Sequence, residues 1–273
     1  MIDKNPLGEE SSYPRHYDPG LLYAIPRWAS RSILDIDKKI PLQGFDLWRA
    51  YELSWLSESG KPEVAMGEFY FDAGSENLVE SKSLKLYLNS LNNEVFKDAE
   101  KFAARIAADL KELTRSEVEI FIRQLGESPL SHIQIPPGKC IDNLGIGVIE
   151  IQPDAELLKT AGSRTEHSAL YSNLFRSNCP ITGQPDWATV MVQYSGSTID
   201  EQSLLAYLCS FRQHAGYHEE CAEMIYRDLM LKCEPESLVV GMNFNRRGGL
   251  DINPFRSNQP ISPDQMACRF VRQ

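Results

Sequence analysis

The chain repeats one order of predicted secondary-structure elements, and this repeat restricts its fold more than any other feature of the sequence. In the first half, alternating apolar residues from Phe45 to Trp55 predict a half-buried strand, which a turn at 57–62 joins to a second strand. Two amphipathic helices and an alternating strand follow, over 81–92, 96–113 and 118–122. The second half gives the same order, over 166–177, 187–194, 200–213, 217–232 and 238–244. The pattern predicts a duplicated β-β-α-α-β unit.

Individual residues repeat as well as elements. A shift of 120 positions places Ser83, Leu84, Tyr87, Leu88 and Ser90 on Ser203, Leu204, Tyr207, Leu208 and Ser210. Coincidence is the competing explanation, because leucine and serine are common and short helices look alike. We predict an α+β fold with two tandem subdomains, in which helices cover one face of each antiparallel sheet. The expected domains are 1–130, which begins with an irregular arm over 1–30, and 131–273.

The net charge and the cysteines indicate in which cellular compartment, and with which partners, the protein is expected to work. Lys and Arg total 28 against 38 Asp and Glu, and the formal net charge of −10 opposes binding to nucleic acid or to an anionic membrane. The first residues lack the basic and apolar regions of a secretory signal, and no apolar run reaches membrane-spanning length. The six cysteines include no C-x-x-C pair. We therefore expect a cytoplasmic protein with reduced thiols, in which an anionic cofactor would need a local basic pocket.

One cysteine lies in a segment that favours reactivity. Cys179 is at the predicted end of one strand, and a turn rich in proline and glycine leads from it towards the next strand and Asp186. A lone cysteine is more often a small core residue, but an irregular, rigid backbone often carries functional groups. Across a tight turn, Asp186 could give a proton to a group that the thiol attacks. The alternative role of Asp186 is to cap the turn or the strand.

Titratable residues concentrate at the junction between the two helices of the second half. His214 and His218 are four residues apart and Cys221 follows one turn later, which is a plausible zinc spacing if one helix continues through all three. Gly216 argues against such a helix, and the H-E-x-x-H pattern of metalloproteases is absent. A polar cluster at a helix end is a further alternative. We favour substrate recognition, because the carboxylate of Glu219 suits the paired N–H donors of a purine-like edge.

Two basic segments could receive an anion. Glu80-Ser81-Lys82 opens the first predicted helix, and the backbone N–H groups of a helix start suit a phosphate. The alternative is a helix cap with solvated lysines. Arg246-Arg247 precedes two glycines, Gly248 and Gly249; arginine can fork onto phosphate oxygens, and glycine lets the backbone approach closely. No G-x-G-x-x-G follows a strand, so a dinucleotide would bind without the Rossmann device.

Together these segments resemble the signature of the 7-cyano-7-deazaguanine reductases, the QueF family, in its longer, duplicated form. The resemblance rests on 80–87, 179–186, 218–219 and 246–254 in this order. Leu84, where an aromatic residue is expected, and Tyr217, which is often phenylalanine, depart from the pattern without removing a reacting group. The resemblance implies two tunnelling-fold subdomains and a homodimer. It also implies NADPH-dependent reduction of the nitrile of 7-cyano-7-deazaguanine to an aminomethyl group, in the biosynthesis of the tRNA nucleoside queuosine.

The resemblance also implies roles for individual residues. Cys179 would add to the nitrile carbon and form a covalent thioimide, and Asp186 would supply the proton. Two hydrides from NADPH would complete the reduction through an imine that must be kept from water. No metal ion is implied. Residues that would bind the substrate are Val79, Glu80, Ser81, His218 and Glu219, and residues that would bind the cofactor are Ser81, Lys82, Arg247 and Gly248.

Two other functions stay open at this stage. A zinc-dependent pterin or purine-ring enzyme of the same fold would use His214, His218 and a cysteine as ligands. A purine-binding or scaffold module would keep the pocket without catalysis. Tightly held stoichiometric zinc would support the first, and the lack of a thiol-dependent reaction with the nitrile would support the second.

Overall fold

The computed structural model describes residues 13–34, 40–126, 133–147, 152–266 and 268–273. They form two compact units. The first unit comprises the described residues of Met1–Ala29, Asp46–His132 and Arg246–Asp251, and the second comprises those of Ser30–Phe45, Ile133–Asn245 and Ile252–Gln273. The predicted domain boundary at residue 130 lies outside the described residues. In the described part of the chain, no helix is long and apolar enough to cross a membrane.

The chain is a mixed α+β protein. Up to residue 123 its strands and helices are β1 (Ala24–Pro26), α1 (Arg27–Ile33), β2 (Gln43–Leu56), β3 (Pro62–Asp72), β4 (Asn77–Val79), α2 (Ser81–Ser90), α3 (Ala99–Thr114) and β5 (Val118–Arg123). The remaining elements are β6 (Lys139–Cys140), β7 (Thr160–Ser172), β8 (Arg176–Asn178), β9 (Pro185–Ile199), α4 (Glu201–Ser210), α5 (His218–Cys233), β10 (Ser237–Phe244), β11 (Leu250–Ser257) and α6 (Pro263–Met266).

In the first unit, β3 lies between β2 and β5 and pairs antiparallel with β5 from Met66↔Arg123 to Phe71↔Val118. Helix α3 packs against β5. Its buried stripe consists of Phe102, Ile106 and Leu110, all fully buried, and Phe102 stacks on Trp55 of β2 with ring centroids 4.5 Å apart. Burying one face of an amphipathic helix against a sheet provides most of the stability of such a helix.

The second unit has the same strand order, with β9 between β7 and β10 and antiparallel to both. Helix α5 packs against β10 and β9. Two further pairings depart from the simple repeat. β6 pairs parallel with β7, and the short strand β8 pairs with the first residues of β9. This last pairing forms the hairpin that contains Cys179.

The residues that repeat in the sequence make the same hydrogen bonds in both units. The tyrosine hydroxyls of α2 and α4 each donate to an aspartate of the following helix, at 2.5 Å in both cases. Two serine hydroxyls of that helix donate to backbone carbonyls three residues earlier. These donor–acceptor pairs are Tyr87–Asp109 and Tyr207–Asp228, Ser83–Glu80 and Ser203–Asp200, and Ser90–Tyr87 and Ser210–Tyr207. Each repeated tyrosine and serine thus has a structural reason to repeat.

The expectation of an irregular arm over 1–30 is corrected for its second part. A 3₁₀ turn at Pro19–Leu21, strand β1 and the start of α1 lie there. Asp18 caps the turn through the backbone N–H of Gly20, and β1 pairs antiparallel with β4. The pairing is with residues 77–79, so no local periodicity could have indicated it.

Strand β11 was not predicted, because its sequence contains a proline and several polar residues. All eight residues are buried. The polar side chains of this strand can be buried because they form hydrogen bonds or ion pairs. In the second unit, for example, Asn253 Oδ1 accepts a hydrogen bond from Gln273 Nε2 at 2.6 Å.

Candidate active site

Cys179 is the first residue of the loop that joins β8 to β9. The hairpin register pairs Ser177 with Asp186 and Asn178 with Pro185. The backbone N–H of Cys179 donates to the carbonyl of Gln184 at 2.8 Å, and the N–H of Gly183 donates to the carbonyl of Cys179 at 3.0 Å. Gly183 has φ +68°, a conformation that glycine adopts at little cost. The loop therefore closes on Cys179 and fixes its backbone.

Strand geometry brings the acid to the side of the hairpin that carries the thiol. Side chains two residues apart point to the same face, and so do directly opposite residues of paired strands. Ser177 and Cys179 are two apart, and Asp186 lies opposite Ser177. Cys179 is 4% exposed and Asp186 8%. The carboxylate oxygen Oδ2 of Asp186 lies 3.4 Å from Nε2 of His218, the first residue of α5.

The segment before α5 is hydrogen-bonded to the residue next to Cys179. The N–H of Asn178 donates to the carbonyl of His214 at 2.8 Å, and the N–H of Gly216 donates to the carbonyl of Asn178 at 3.1 Å. A Cβ on Gly216 would lie 2.9 Å from Nε2 of His214, so a larger residue at this position would require the imidazole to move. The segment that leads to His218, a predicted substrate-binding residue, is thus joined by backbone hydrogen bonds to the residue before Cys179.

The same segment confirms the predicted helix break at Gly216. Helix α4 ends at Ser210, a 3₁₀ turn follows over Phe211–Gln213, and α5 begins at His218. His214 and His218 therefore do not share the face of one helix, which the zinc spacing required. Among the described residues, no group of three His, Cys, Asp or Glu side chains could hold a metal ion. The zinc alternative is not favoured.

The start of α5 presents its titratable residues in different environments. The imidazole of His218 stacks on Phe244, with ring centroids 3.9 Å apart and planes at 21°. Glu219 is 4% exposed. Burial raises the pKa of the Cys221 thiol far above its usual range. Cys221 is therefore a neutral thiol at physiological pH and a poor candidate for the nucleophile or a metal ligand.

One turn further along α5, two arginines hold the helix in place. Glu223 accepts from Nε and Nη2 of Arg31 at 3.0 and 2.7 Å, and from Nε and Nη2 of Arg256 at 3.0 and 2.9 Å. The Arg256 side chain is fully buried. This cluster fixes the face of α5 that also carries Glu219, because residues four apart lie on one face of a helix.

The other predicted site residues belong to the first unit. Val79 pairs with Ala24 at the end of β4, and Glu80 is the N-cap of α2. The Glu80 carboxylate, 1% exposed, accepts from the backbone N–H groups of Lys82 and Ser83 at 2.9 and 2.7 Å. Ser81 and Lys82 form the first turn. Two N–H groups of this helix start already have an acceptor, so the observed contacts are those of a helix cap. A phosphate could therefore use only the remaining N–H groups and the side chains.

Arg247 and Gly248 form part of a tight turn in the first unit. The backbone N–H and carbonyl groups of Arg247 and Leu250 bond to each other, at 2.8 and 3.2 Å. Gly248 and Gly249 between them have φ +61° and +81°, as a two-residue turn with two left-handed positions requires. The Lys85 ammonium would lie 3.0 Å from a Cβ on Gly248. Lys85 and both glycines line a cavity of about 110 Å³.

Lys85 and Phe244 were not singled out as site residues from the sequence. Lys85 lies inside the segment 80–87 but carried no distinguishing signal beyond its charge. Phe244 is the last residue of an apolar strand, and its stacking on His218 depends on where α5 begins. Both residues are recognised only from their contacts in the folded chain, Lys85 with Gly248 and Phe244 with His218.

The comparisons with known proteins assign the family. Residues 13–122 match the family model described as nitrile reductase, 7-cyano-7-deazaguanine-reductase N-term, and residues 185–262 match the model described as QueF-like protein. A protein of Dechloromonas aromatica (strain RCB), named NADPH-dependent 7-cyano-7-deazaguanine reductase, is 48% identical over 98% of this chain and 95% of its own length. The chain belongs to the QueF family. A relative of the same name from Teredinibacter turnerae (strain ATCC 39867 / T7901) is 47% identical over 98% of this chain and 97% of its own length.

The QueF family models cover most, but not all, of the predicted site. Val79, Glu80, Ser81 and Lys82 lie in the first matched range, and Asp186, His218, Glu219, Arg247 and Gly248 lie in the second. Cys179 lies between the two. Among solved structures, the apo form of the archaeosine synthase QueF-Like aligns with 37% of this chain and 100% of its own, at 19% identity and a TM-score of 0.34.

Proposed function

We propose that this chain catalyses the NADPH-dependent reduction of the nitrile of 7-cyano-7-deazaguanine to an aminomethyl group, in queuosine biosynthesis. The observation that carries the proposal is the hairpin in which Cys179 opens the loop and Asp186 lies on the same face, 3.4 Å from His218. A nucleophile beside an acid that a third group orients is a recurring arrangement in covalent catalysis. The identity of the substrate is inferred from membership of the QueF family.

The first step is addition of the Cys179 sulfur to the nitrile carbon. A bond forms between Sγ and carbon, one π bond of the C≡N group breaks, and its electron pair moves to nitrogen. The proton that leaves the Cys179 thiol passes to the Asp186 carboxylate and from there to that nitrogen, which leaves a neutral thioimide on the protein. His218 faces the Asp186 carboxylate and orients it, while Phe244 behind the imidazole restricts the ring to one plane.

Carboxylates hold the purine-like part of the substrate. In the second unit, Glu219 accepts from the amino and ring N–H groups, and His218 borders the nitrile. In the first unit, Glu80 has the same role, with Val79 and Ser81 beside it. The two N–H groups that Glu80 already accepts leave capacity for a ligand, since an ionised carboxylate offers about four lone-pair sites.

The groups of the first unit fit an anionic dinucleotide. The absence of a Cβ at Gly248 leaves room beside the Lys85 ammonium, which a larger residue would fill. Ser81, Lys82, Arg247 and Gly248 would hold NADPH, and their local positive charge offsets the net charge of −10. Two NADPH molecules, bound in turn, would supply one hydride each. The chain's own part is to keep the half-reduced imine away from water, and the low exposure of Cys179 and Asp186 serves that purpose.

Two architectural statements belong to the same proposal. The chain consists of two tandem tunnelling-fold subdomains, approximately 1–130 and 131–273, and it assembles as a homodimer in the cytoplasm. The shared strand order of the two units and their repeated hydrogen bonds support the duplication. Light scattering coupled to size-exclusion chromatography tests the dimer, and a monomer mass at micromolar concentration would contradict it.

The decisive experiment is the intact-protein mass after incubation with 7-cyano-7-deazaguanine and no NADPH. The wild type is expected to gain the mass of one substrate, and Cys179→Ala is not. Cys233→Ala is the matched control, because Cys233 is a buried thiol of the same unit whose pKa burial raises to about 11, and it should form the adduct as the wild type does. An adduct in Cys179→Ala would remove Cys179 as nucleophile. No adduct in any variant would remove the covalent mechanism, and metal analysis would then test the zinc alternative.

A further inference from the structure

Two arginines, one on the hairpin that carries Cys179 and one in the turn after α4, lie at the same aromatic ring of that hairpin. The guanidinium carbon of Arg176, in β8, lies 5.8 Å from the centroid of the Trp187 ring, and that of Arg212, in the 3₁₀ turn after α4, lies 5.7 Å from it. Both distances are within the range of cation–π attraction. Arg176 and Trp187 are opposite each other in the hairpin register, one residue along from the pair Ser177 and Asp186, so they occupy its other face.

Two like charges at one ring repel each other. Within the ranges that the structure describes, neither guanidinium forms an ion pair with a carboxylate. Arg176 Nη2 donates to the amide oxygen of Asn178 at 3.1 Å, while its Nε–H is buried without an acceptor among the described residues. Arg212 is exposed. Stacking uses the face of a guanidinium and leaves its N–H donors, which lie in the plane, available for another ligand.

We propose that Arg176 and Arg212, oriented by Trp187, bind the phosphate groups of NADPH. The inference rests on the proposed reductase function for the identity of the ligand. Forked N–H donors match phosphate oxygens, and an anion between the two guanidiniums removes their repulsion. In a chain of net charge −10, such a pair is the kind of local positive site that an anionic cofactor needs.

The location links the cofactor to the reacting thiol. Arg176 is hydrogen-bonded to Asn178, the residue before Cys179, and Arg212 is two residues before His214, whose carbonyl accepts from the N–H of Asn178. A phosphate bound by the two arginines would therefore hold NADPH close to the hairpin loop, because both arginines are connected to Asn178 by hydrogen bonds or by two residues of chain.

The test compares steady-state kinetics of Arg212→Gln and Arg176→Gln with those of Arg164→Gln. Arg164 is an exposed arginine of the same unit that pairs with Glu236, so this control loses the same charge elsewhere. Loss of one charge-assisted contact is expected to raise the KM for NADPH roughly ten- to hundredfold in the first two variants, with kcat little changed. Trp187→Phe, which keeps a ring, should raise it less. Repeating the assay with NADH shows which phosphate the arginines contact. If only the KM for NADPH rises, the contact is with the 2′-phosphate; if the KM values for NADPH and NADH both rise, the contact is with the diphosphate.

Two further measurements separate this proposal from the proposed function. The adduct with 7-cyano-7-deazaguanine, which forms without NADPH, should be unchanged in both arginine variants; its loss would mean that the arginines only support the hairpin. Calorimetry with adenosine 2′,5′-bisphosphate tests the phosphate site even if the wild type forms no adduct. Unchanged KM values for NADPH and NADH, or equal calorimetric affinity in wild type and double variant, would overturn the proposal.

Discussion

Replacing Glu223 by glutamine tests how strongly the start of α5 depends on its buried charge cluster. Glu223 is 3% exposed, and it faces Arg256, which is fully buried, and Arg31, which is 20% exposed. Glutamine keeps the shape and one acceptor oxygen, but it removes the negative charge and turns N–H donors towards two guanidiniums. Arg256 then remains in the interior without the negative charge of Glu223.

The expected loss follows from the burial of each partner. Removing one member of a buried ion pair typically costs about 3–5 kcal/mol. Arg31 can turn towards solvent and recover part of its hydration, so its share is small, and the lower end, about 3 kcal/mol, applies. For a chain of this size that corresponds to a fall in Tm of roughly 6–12 °C.

Urea unfolding followed by tryptophan fluorescence measures the loss as a lower midpoint at an unchanged slope. Glu156→Gln is the control, because Glu156 pairs with Lys232 of the same helix but is 75% exposed, and such pairs contribute about 0–1 kcal/mol. If Glu223→Gln loses no more than Glu156→Gln, the argument that α5 depends on this cluster is refuted.

Three further predictions concern other parts of the molecule. Tyr207→Phe removes the donor to Asp228, which still accepts from Arg227, and Tyr87→Phe removes the donor to Asp109, which still accepts from Tyr17, so each should cost about 0.5–1.5 kcal/mol in urea unfolding and a loss above about 3 kcal/mol in either would contradict this. Burial raises the pKa of Glu220 above its ordinary 4.5, so stability that is present below pH 4.5 is lost as pH rises through the folded-state pKa. Glu220→Gln should lack that loss, and parallel pH profiles would count against it. Gly249→Ala places a Cβ 2.5 Å from the Glu52 carboxylate at φ +81° and should lower Tm more than Gly248→Ala, whose nearest neighbour is the end of a flexible lysine; the reverse order would exclude the steric explanation.

Local pattern was sufficient for most elements of the fold. The alternation from Phe45 predicted β2, and the helices over 81–92 and 217–232 correspond to α2 and α5, because side-chain periodicity reports directly which face an element buries. The repeat was visible for the same reason: Tyr87 and Tyr207 recur because each donates to an aspartate of the next helix. Strands β1 and β11 were not predicted, because β1 forms by pairing with residues far away in the sequence and β11 contains a proline and several polar residues.

The sequence by itself determined the family, the duplicated order of elements and the identity of the candidate reacting groups, because these depend on residue types at fixed spacings. Tertiary structure decided the relations between them: the register that sets Asp186 opposite Ser177, the contact between Asp186 and His218, and the two arginines at Trp187. Those relations arise from strand pairing and from where α5 begins. Both are long-range outcomes of packing, and the local sequence encodes them only through the fold as a whole.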